Sequence, residues 1–269
     1  MIARRIPKTD EPVPVIGMGT WQTFDVASRR AREPLTAVLD SFAASGARLV
    51  DTSPMYGRAE EVVGELAPAN AFLATKVWTR GRTEGIEQME RSMRLLRREV
   101  VDLIQVHNLV DWRTHLATLR DWQRAGRVRY LGITHYQKSA FGELASIMAA
   151  EEIDFVQLPM SVELPDAAEH LLPLAAERGI AVIVNRPFEG GALIHRVQRK
   201  PLPEWAAEFG CGTWSEMFLR WIVSHDEVTC VIPATSSVEH LEENLRAGEG
   251  KMLDARERTR LREKLLSAA

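Results

Sequence analysis

The sequence predicts an α/β chain whose eight strands close into a (β/α)8 barrel. Three observations carry this. Short apolar runs alternate with amphipathic stretches from Val15 to Ala247, a pattern of parallel strands joined by helices. The alternation completes eight units without a linker, a low-complexity stretch or a shift in composition. The length, 269 residues, suits a barrel of this kind, which takes ~250 residues as one domain. An open doubly wound sheet would carry a Gly-rich phosphate loop after a strand. The nearest candidate, Gly17-Met18-Gly19-Thr20-Trp21-Gln22, lacks the third glycine. A single barrel domain over residues 1–269 is expected.

Residues 12–16 read as an extended lead-in and 15–20 as the first strand. Leu35, Val38, Leu39 and Phe42 recur at helical spacing within 28–44, and Gly46 is the stop. A strand over 48–53 and a short helix over 60–66 follow. The third strand is 72–77, with a helix over 84–98. Next come strand 103–108, helix 114–125 stopped by Gly126, and strand 130–134. Ser139 is expected to cap the helix that runs to 150. Strand 155–160, helix 165–178 ended by Gly179, and strand 180–187 complete seven units. After an excursion over 188–203, Thr213 and Glu216 have capping-box spacing at the head of a helix to 224. The eighth strand is 229–234. Ser236 and Glu239 spell a second capping box before a helix to 247, and a charged helix over 253–266 is last.

Composition narrows the function. Hydrophobic residues make up 45% of the chain, enough for a sizeable core. Net charge is −3 and the isoelectric point about 6.2, so no global field favours nucleic acid or an acidic membrane. Cys211 and Cys230 are the only cysteines, too few for a disulfide framework and without zinc spacing. No apolar run is long enough to span a bilayer, and the N-terminus lacks a signal-peptide apolar region. A cytoplasmic, soluble, monomeric protein acting on a small molecule is expected.

Three apolar runs end in chemistry. Ala47 to Val50 leads to Asp51 and, five residues later, Tyr56. Residues 72–77 carry Lys76, and 103–108 carry His107. Side chains alternate between barrel interior and helix layer. If Ile104 and Val106 face the helices, Gln105 and His107 face inward. Leu73, Thr75 and Val77 outward put Phe72, Ala74 and Lys76 inward. Val156 and Leu158 outward leave Gln157 inside, and Asp51 shares a face with Leu49 and Ser53. Barrel enzymes keep their active sites at the C-terminal ends of the strands. Singly, each residue has a structural explanation: a histidine at a strand end, a snorkelling lysine, an aspartate that forms a turn, a packed tyrosine. Convergence favours chemistry, because a buried lysine is costly without a counterion and Asp51 on the adjacent strand supplies one.

Such a group has a specific use. A tyrosine titrates near ~10 in water, and a nearby ammonium favours the phenolate and lowers that value. Asp51 would hold Lys76 charged, and His107, as a neutral donor, would orient a carbonyl oxygen beside Tyr56. There is no nucleophile–base pair and no metal-ligand set. Proton delivery to an oxygen gaining charge, as in hydride reduction of C=O, fits best.

The chain resembles the aldo-keto reductases over essentially its whole length. The carrying motifs are Gly17-Met18-Gly19-Thr20-Trp21, Val50-Asp51-Thr52-Ser53-Pro54-Met55-Tyr56-Gly57, Ala74-Thr75-Lys76-Val77, Asp102-Leu103-Ile104-Gln105-Val106-His107, Gly126-Arg127-Val128-Arg129-Tyr130-Leu131-Gly132 and Ile232-Pro233-Ala234. The resemblance implies a catalytic tetrad of Asp51, Tyr56, Lys76 and His107. It also implies a nicotinamide cofactor, NADPH with NADH possible, extended across the barrel mouth. Gly19, Thr20 and Trp21 would border the nicotinamide, together with Asp51. Gln157 matches the carboxamide-binding glutamine. Thr235, Ser236, Ser237, Glu243 and Asn244 fall in the region that holds the adenosine phosphate and adenine.

Three departures stand out. The family's Gly-x-Ser-Asn is Gly132-Ile133-Thr134-His135, so the carboxamide contact falls on Thr134 and His135. Its aromatic at the end of the seventh strand is replaced by Asn185-Arg186-Pro187, with Phe188 a candidate substitute. Its cations around the 2′-phosphate are replaced by Ala234 and His240, and His240 adds charge only when protonated; Arg246 lies later on the same helix. The chain also lacks a long loop after its last helix, which implies an open substrate pocket lined by Trp21, Phe24, Tyr56, Trp78, His107 and Trp112. Two other functions are compatible with the fold: a cofactor-binding redox sensor with little turnover, and an aldolase in which Lys76 forms a Schiff base. The cofactor motifs disfavour the second.

Overall fold

The computed structural model describes residues 1–266. Strands β1 (Ala3–Arg5) and β2 (Pro12–Pro14) pair as an antiparallel hairpin. Eight further strands form a parallel sheet in sequential order: β3 (Met18–Gly19), β4 (Leu49–Asp51), β5 (Phe72–Val77), β6 (Val101–His107), β7 (Val128–Thr134), β8 (Phe155–Pro159), β9 (Ala181–Asn185) and β10 (Val228–Val231). Helices α1 (Arg29–Ala44), α2 (Ala59–Leu66), α3 (Arg82–Leu96), α4 (Trp112–Arg124), α5 (Phe141–Ala150) and α6 (Ala167–Arg178) connect the first strands. The excursion after β9 folds into the short helix α7 (Ala192–Val197) between two 3-10 turns, then α8 (Trp214–Val223) leads to β10. Helices α9 (Val238–Arg246) and α10 (Ala255–Leu266) complete the described residues.

The sheet closes on itself. Gly17 N–H donates to the Val231 carbonyl at 2.9 Å and Gly19 N–H to the Pro233 carbonyl at 3.0 Å. These contacts explain the two glycines of the first strand. A Cβ at Gly19 would lie 2.8 Å from the Ile232 carbonyl oxygen, and one at Gly17 would lie 2.9 Å from Cys230 Sγ. The motif serves the seam where the first and last strands meet, a role in which only a bare backbone fits. The first strand is accordingly shorter than expected, because Ile16 makes only an isolated bridge, to Val231.

Strand parity sorts the core into two layers. Leu49, Phe72, Ala74, Leu103, Tyr130, Phe155, Ile183 and Cys230 fill the barrel interior. Val50, Leu73, Val77, Ile104, Val106, Val156 and Leu158 join the helix layer. The alternation read from the sequence therefore holds on β4, β5, β6 and β8. The lead-in is more than extended chain: the β1–β2 hairpin puts Ile6 and Val13 into the interior cluster and plugs the barrel floor. Glu11 just before β2 accepts from Tyr130 Oη at 2.8 Å and pairs with Arg48 and Arg129.

Capping is partly as expected. Thr213 and Glu216 form the predicted box, with Glu216 N–H donating to Thr213 Oγ1 at 3.2 Å and Thr213 N–H to Glu216 Oε2 at 3.2 Å. At α9 the cap is Ser237, whose Oγ accepts from His240 N–H at 3.4 Å. Glu239 is then the second helical residue, one short of the position from which a box glutamate reaches back. Ser139 does not cap α5, because a 3-10 turn over Lys138–Ala140 precedes the helix and puts Ala140 at the cap. Among the described residues no helix is long and apolar enough to cross a membrane.

Candidate active site

Neighbouring strands deliver three polar side chains to one end of the barrel. In register, Asp51 on β4 faces Ala74 on β5, Lys76 faces Gln105 on β6, and His107 faces Thr134 on β7. Lys76 is fully buried. Its Nζ donates to Asp51 Oδ2 at 2.5 Å and to the Thr52 carbonyl at 2.8 Å. The other carboxylate oxygen, Oδ1, accepts from Gln157 Nε2 at 2.8 Å and Gln105 Nε2 at 3.3 Å. Gln157 Oε1 in turn accepts from Thr134 Oγ1 at 3.1 Å and Asn185 Nδ2 at 3.2 Å. Thr20 Oγ1 donates to the Asp51 carbonyl at 3.0 Å. A buried ion pair is tolerable only when its remaining hydrogen-bond capacity is met this way, and removing one partner costs ~3–5 kcal/mol.

Tyr56 lies on the loop between β4 and α2. Its N–H donates to the Ser53 carbonyl at 3.0 Å, and its own carbonyl accepts from Ala59 N–H at 3.1 Å. Lys76 Nζ is 5.0 Å from the centroid of its ring. Burial pushes the Tyr56 phenol up and Lys76 pulls it down, while Asp51 pushes it up again; the net shift is upward. The lowering expected from Lys76 is therefore present but outweighed by burial, and the phenol stays protonated at neutral pH. Burial presses the Lys76 ammonium down, but Asp51 and Tyr56 more than offset this, so the lysine stays charged.

His107 is neutral. Burial, then the charge of Lys76, then His135 depress it to about 3. Its Nδ1 lies 3.2 Å from Ser53 Oγ, which also accepts from Met55 N–H at 3.2 Å. Ser53 Oγ keeps both a hydrogen and a second lone pair for this contact, so the histidine tautomer sets which of Oγ and Nδ1 donates. The imidazole stands edge-on to Tyr56, centroids 6.1 Å apart and planes at 87°. The loop that follows holds Asn108, Leu109 and Asp111 in the left-handed region, at φ 52°, 57° and 48°, a cost tolerated where surroundings fix the geometry.

A cavity of about 560 Å³ opens over this cluster. Asp51, Tyr56 and His107 line it, with Gly19, Thr20, Trp21, Thr134, Gln157, the 185–188 segment (Asn185, Arg186, Pro187, Phe188) and Ala234. Several expected residues lie elsewhere. Phe24 is fully buried in the helix-layer core, because Phe24 N–H bonds back to the Thr20 carbonyl at 3.1 Å and turns the chain inward; it is not a pocket residue. Trp78 is outside the lining and 40% exposed. Trp112 packs on the outer core as the first residue of α4, with Arg113 over its ring at 4.1 Å. His135 is half-buried and outside the lining, its ring stacked on Tyr136 at 5.6 Å. Sequence reasoning missed Tyr136, Met55 and Asn108, which do line the cavity. Each adjoins or lies within a motif already singled out, and that adjacency was the only available signal.

Beyond Ala234 the chain runs to the N-terminus of α9. Thr235 Oγ1 accepts from Ser237 N–H at 3.1 Å; Ser236 and His240 are exposed, Glu243 is half-buried and Asn244 is buried. Arg246 turns away from this end, its Nε donating to Glu216 Oε1 at 2.6 Å. Among the described residues no cluster of His, Cys, Asp and Glu could hold a metal ion.

Known proteins similar to this chain identify its family and fold. The chain is 26% identical over 245 residues to methylglyoxal reductase YeaE of Escherichia coli (strain K12), covering 87% of this chain and 85% of that one. An aldo-keto reductase from Klebsiella pneumoniae solved with NADPH superposes with a TM-score of 0.83 at 22% identity, covering 98% of this chain and 96% of that one. The holo form of an aldo-keto reductase from Bacillus halodurans gives a TM-score of 0.79 at 24% identity, covering 100% of this chain and 97% of that one. The family profile described as "Aldo/keto reductase family" matches residues 15–265. With eight parallel strands in a closed ring of helices and a match over nearly its whole length, the chain belongs to the aldo/keto reductase family.

Proposed function

We propose that this protein reduces an aldehyde or ketone to the alcohol with NADPH, Tyr56 giving the proton. The observation that carries the reading is the meeting of a protonated Tyr56, the Lys76–Asp51 pair and a neutral His107 at one cavity. When bound, the reduced nicotinamide supplies a hydride to the carbonyl carbon. His107, with hydrogen on Nε2, donates to the carbonyl oxygen and orients it. Tyr56 Oη passes its proton to that oxygen as charge develops there, and Lys76 stabilises the phenolate left behind. Asp51, saturated by Lys76, Gln105 and Gln157, keeps the ammonium in place.

The residues fit a nicotinamide cofactor. The Asn185 amide oxygen on the cavity wall has no internal partner. Gln157, Thr134 and Asn185 would hold the carboxamide side, with Trp21 and Phe188 against the ring. Ser236, Ser237 and the N-terminus of α9 would take the 2′-phosphate, since that end carries free N–H groups and the positive end of the helix dipole. NADPH is preferred over NADH, but modestly, because Ala234 and His240 stand where a fixed cation would strengthen the contact. That relatives include a methylglyoxal reductase and an NADPH complex supports the class of substrate and the cofactor.

A panel of aldehydes and ketones, including methylglyoxal, read by NADPH absorbance tests the reading. Turnover of at least one carbonyl is expected. Tight NADPH binding without turnover of any member would replace the reductase by a sensor.

A further inference from the structure

Glu60 is a carboxyl the reaction scheme does not use, in a place where an unused carboxyl is costly. It lies in the first turn of α2, four residues after Tyr56, and is 2% exposed. Its surroundings are the apolar helix layer, with Ala59, Val62 and Val63 beside it in the sequence and buried in the same layer. A buried carboxyl persists only with good partners. The partner here is Thr75, whose Oγ1 donates to Glu60 Oε1 at 2.5 Å. Thr75 precedes Lys76 on β5 and points outward as Lys76 points inward. The bond therefore ties the helix that continues from the Tyr56 loop to the strand that carries Lys76.

Backbone continuity makes the tie consequential. Ala59 N–H donates to the Tyr56 carbonyl at 3.1 Å and Val62 N–H to the Arg58 carbonyl at 3.0 Å. A shift of the first turn of α2 along β5 would carry Tyr56 with it. Asp51 cannot prevent this, since its carboxylate bonds to Lys76, Gln105 and Gln157 and to nothing on the Tyr56 loop or α2.

We propose that Glu60 is a positioning residue: through its hydrogen bond to Thr75 it sets the approach of Tyr56 to Lys76. The inference rests on the reading of Tyr56 as proton donor. Burial raises the Glu60 carboxyl, and the hydroxyls of Thr75 and Ser92 and the charges of Lys76 and Arg91 pull it back. The bond needs an acceptor at Oε1 and not a charge, so Glu60→Gln preserves it.

The test compares Glu60→Gln, Glu60→Ala and Thr75→Val. Melting and NADPH binding establish that each is folded; if Glu60→Ala is not, Thr75→Val carries the comparison. Glu60→Gln is expected to keep kcat within about threefold of native. The other two are expected to lose kcat tenfold or more, with KM and the cofactor Kd changed less than threefold. A readout independent of turnover is the ultraviolet titration of Tyr56, isolated by subtracting the Tyr56→Phe protein. If Glu60 sets the approach to Lys76, Glu60→Ala and Thr75→Val raise the Tyr56 pKa and Glu60→Gln does not. A fall in both Glu60 variants would mean that the carboxylate acts by its charge, and would overturn the proposal. So would native kcat in folded Thr75→Val, or a loss in Glu60→Gln equal to that in Glu60→Ala. If the native protein turns over no carbonyl but the titration behaves as stated, the positioning stands and the reductase reading fails.

Discussion

Two tyrosines at opposite ends of the barrel differ in what surrounds the hydroxyl. Tyr130 at the floor donates to the Glu11 carboxylate at 2.8 Å and shares a 2.7 Å bond with Thr9. Tyr56 at the mouth lies against an ammonium and opens onto a cavity. Burial raises both phenols. Beyond that, Glu11 disfavours a Tyr130 phenolate, whereas Lys76 favours one at Tyr56. The floor group is locked by bonds within the chain; the mouth group can release a proton to something that enters. In barrels of this kind, the bottom serves stability and the top serves chemistry.

The largest effect is expected from Tyr56→Phe. Its kcat is expected to fall by the ~10²–10⁴-fold that a positioned general acid supplies, with cofactor Kd within a few-fold, because the proton is given in the transition state. Stopped-flow NADPH oxidation and fluorescence titration measure the two. Retention of most of kcat would remove Tyr56 from the mechanism.

Lys76→Met comes next, with an expected loss of about 10²-fold if the phenolate is left unstabilised. The sign on pH follows from the charge: Lys76 pulls the Tyr56 phenol down, so its removal moves the alkaline limb of the pH profile upward. An unchanged limb with near-native rate would contradict the tuning role. Melting temperature separates a structural contribution, because Asp51 would lose its counterion.

At the floor the expected effect is on stability alone. Tyr130→Phe leaves Glu11 without one donor and should cost ~1–3 kcal/mol in urea unfolding, with kcat and KM unchanged. A change in kcat without loss of stability would mean that the two ends are coupled.

The smallest effect concerns the cofactor. His240→Arg puts a fixed cation on the exposed first turn of α9 and should tighten NADPH about three- to tenfold, an exposed charge contact being worth ~1 kcal/mol, with NADH unaffected. Equal tightening of both cofactors would place the 2′-phosphate elsewhere.

What could be read from the sequence follows its periodicities. Strand alternation placed Lys76, Gln105, His107 and Gln157 inside because a period of two leaves no choice once the apolar positions face the helices. The floor hairpin was hidden, since Ala3–Arg5 and Pro12–Pro14 are three residues each and carry two prolines where a strand signal would lie. Glu60 was hidden for another reason. An acid in a first helical turn reads as a dipole-favourable surface residue, and only the packing of α2 on β5 buries it. Phe24 follows an aromatic of the cavity but belongs to the core, because a backbone turn at Thr20 is invisible to spacing.

The pH dependence of kcat/KM reports the ionisations of the free protein, Tyr56 and His107 among them. His107 titrates at about 3 and the Tyr56 phenol above the ordinary tyrosine value. The profile should therefore be flat through the histidine range and fall only beyond the ordinary tyrosine range. An acid limb in the ordinary histidine range that disappears in His107→Gln would contradict the neutral imidazole. A rate that rises as the phenol ionises would contradict Tyr56 as the proton donor.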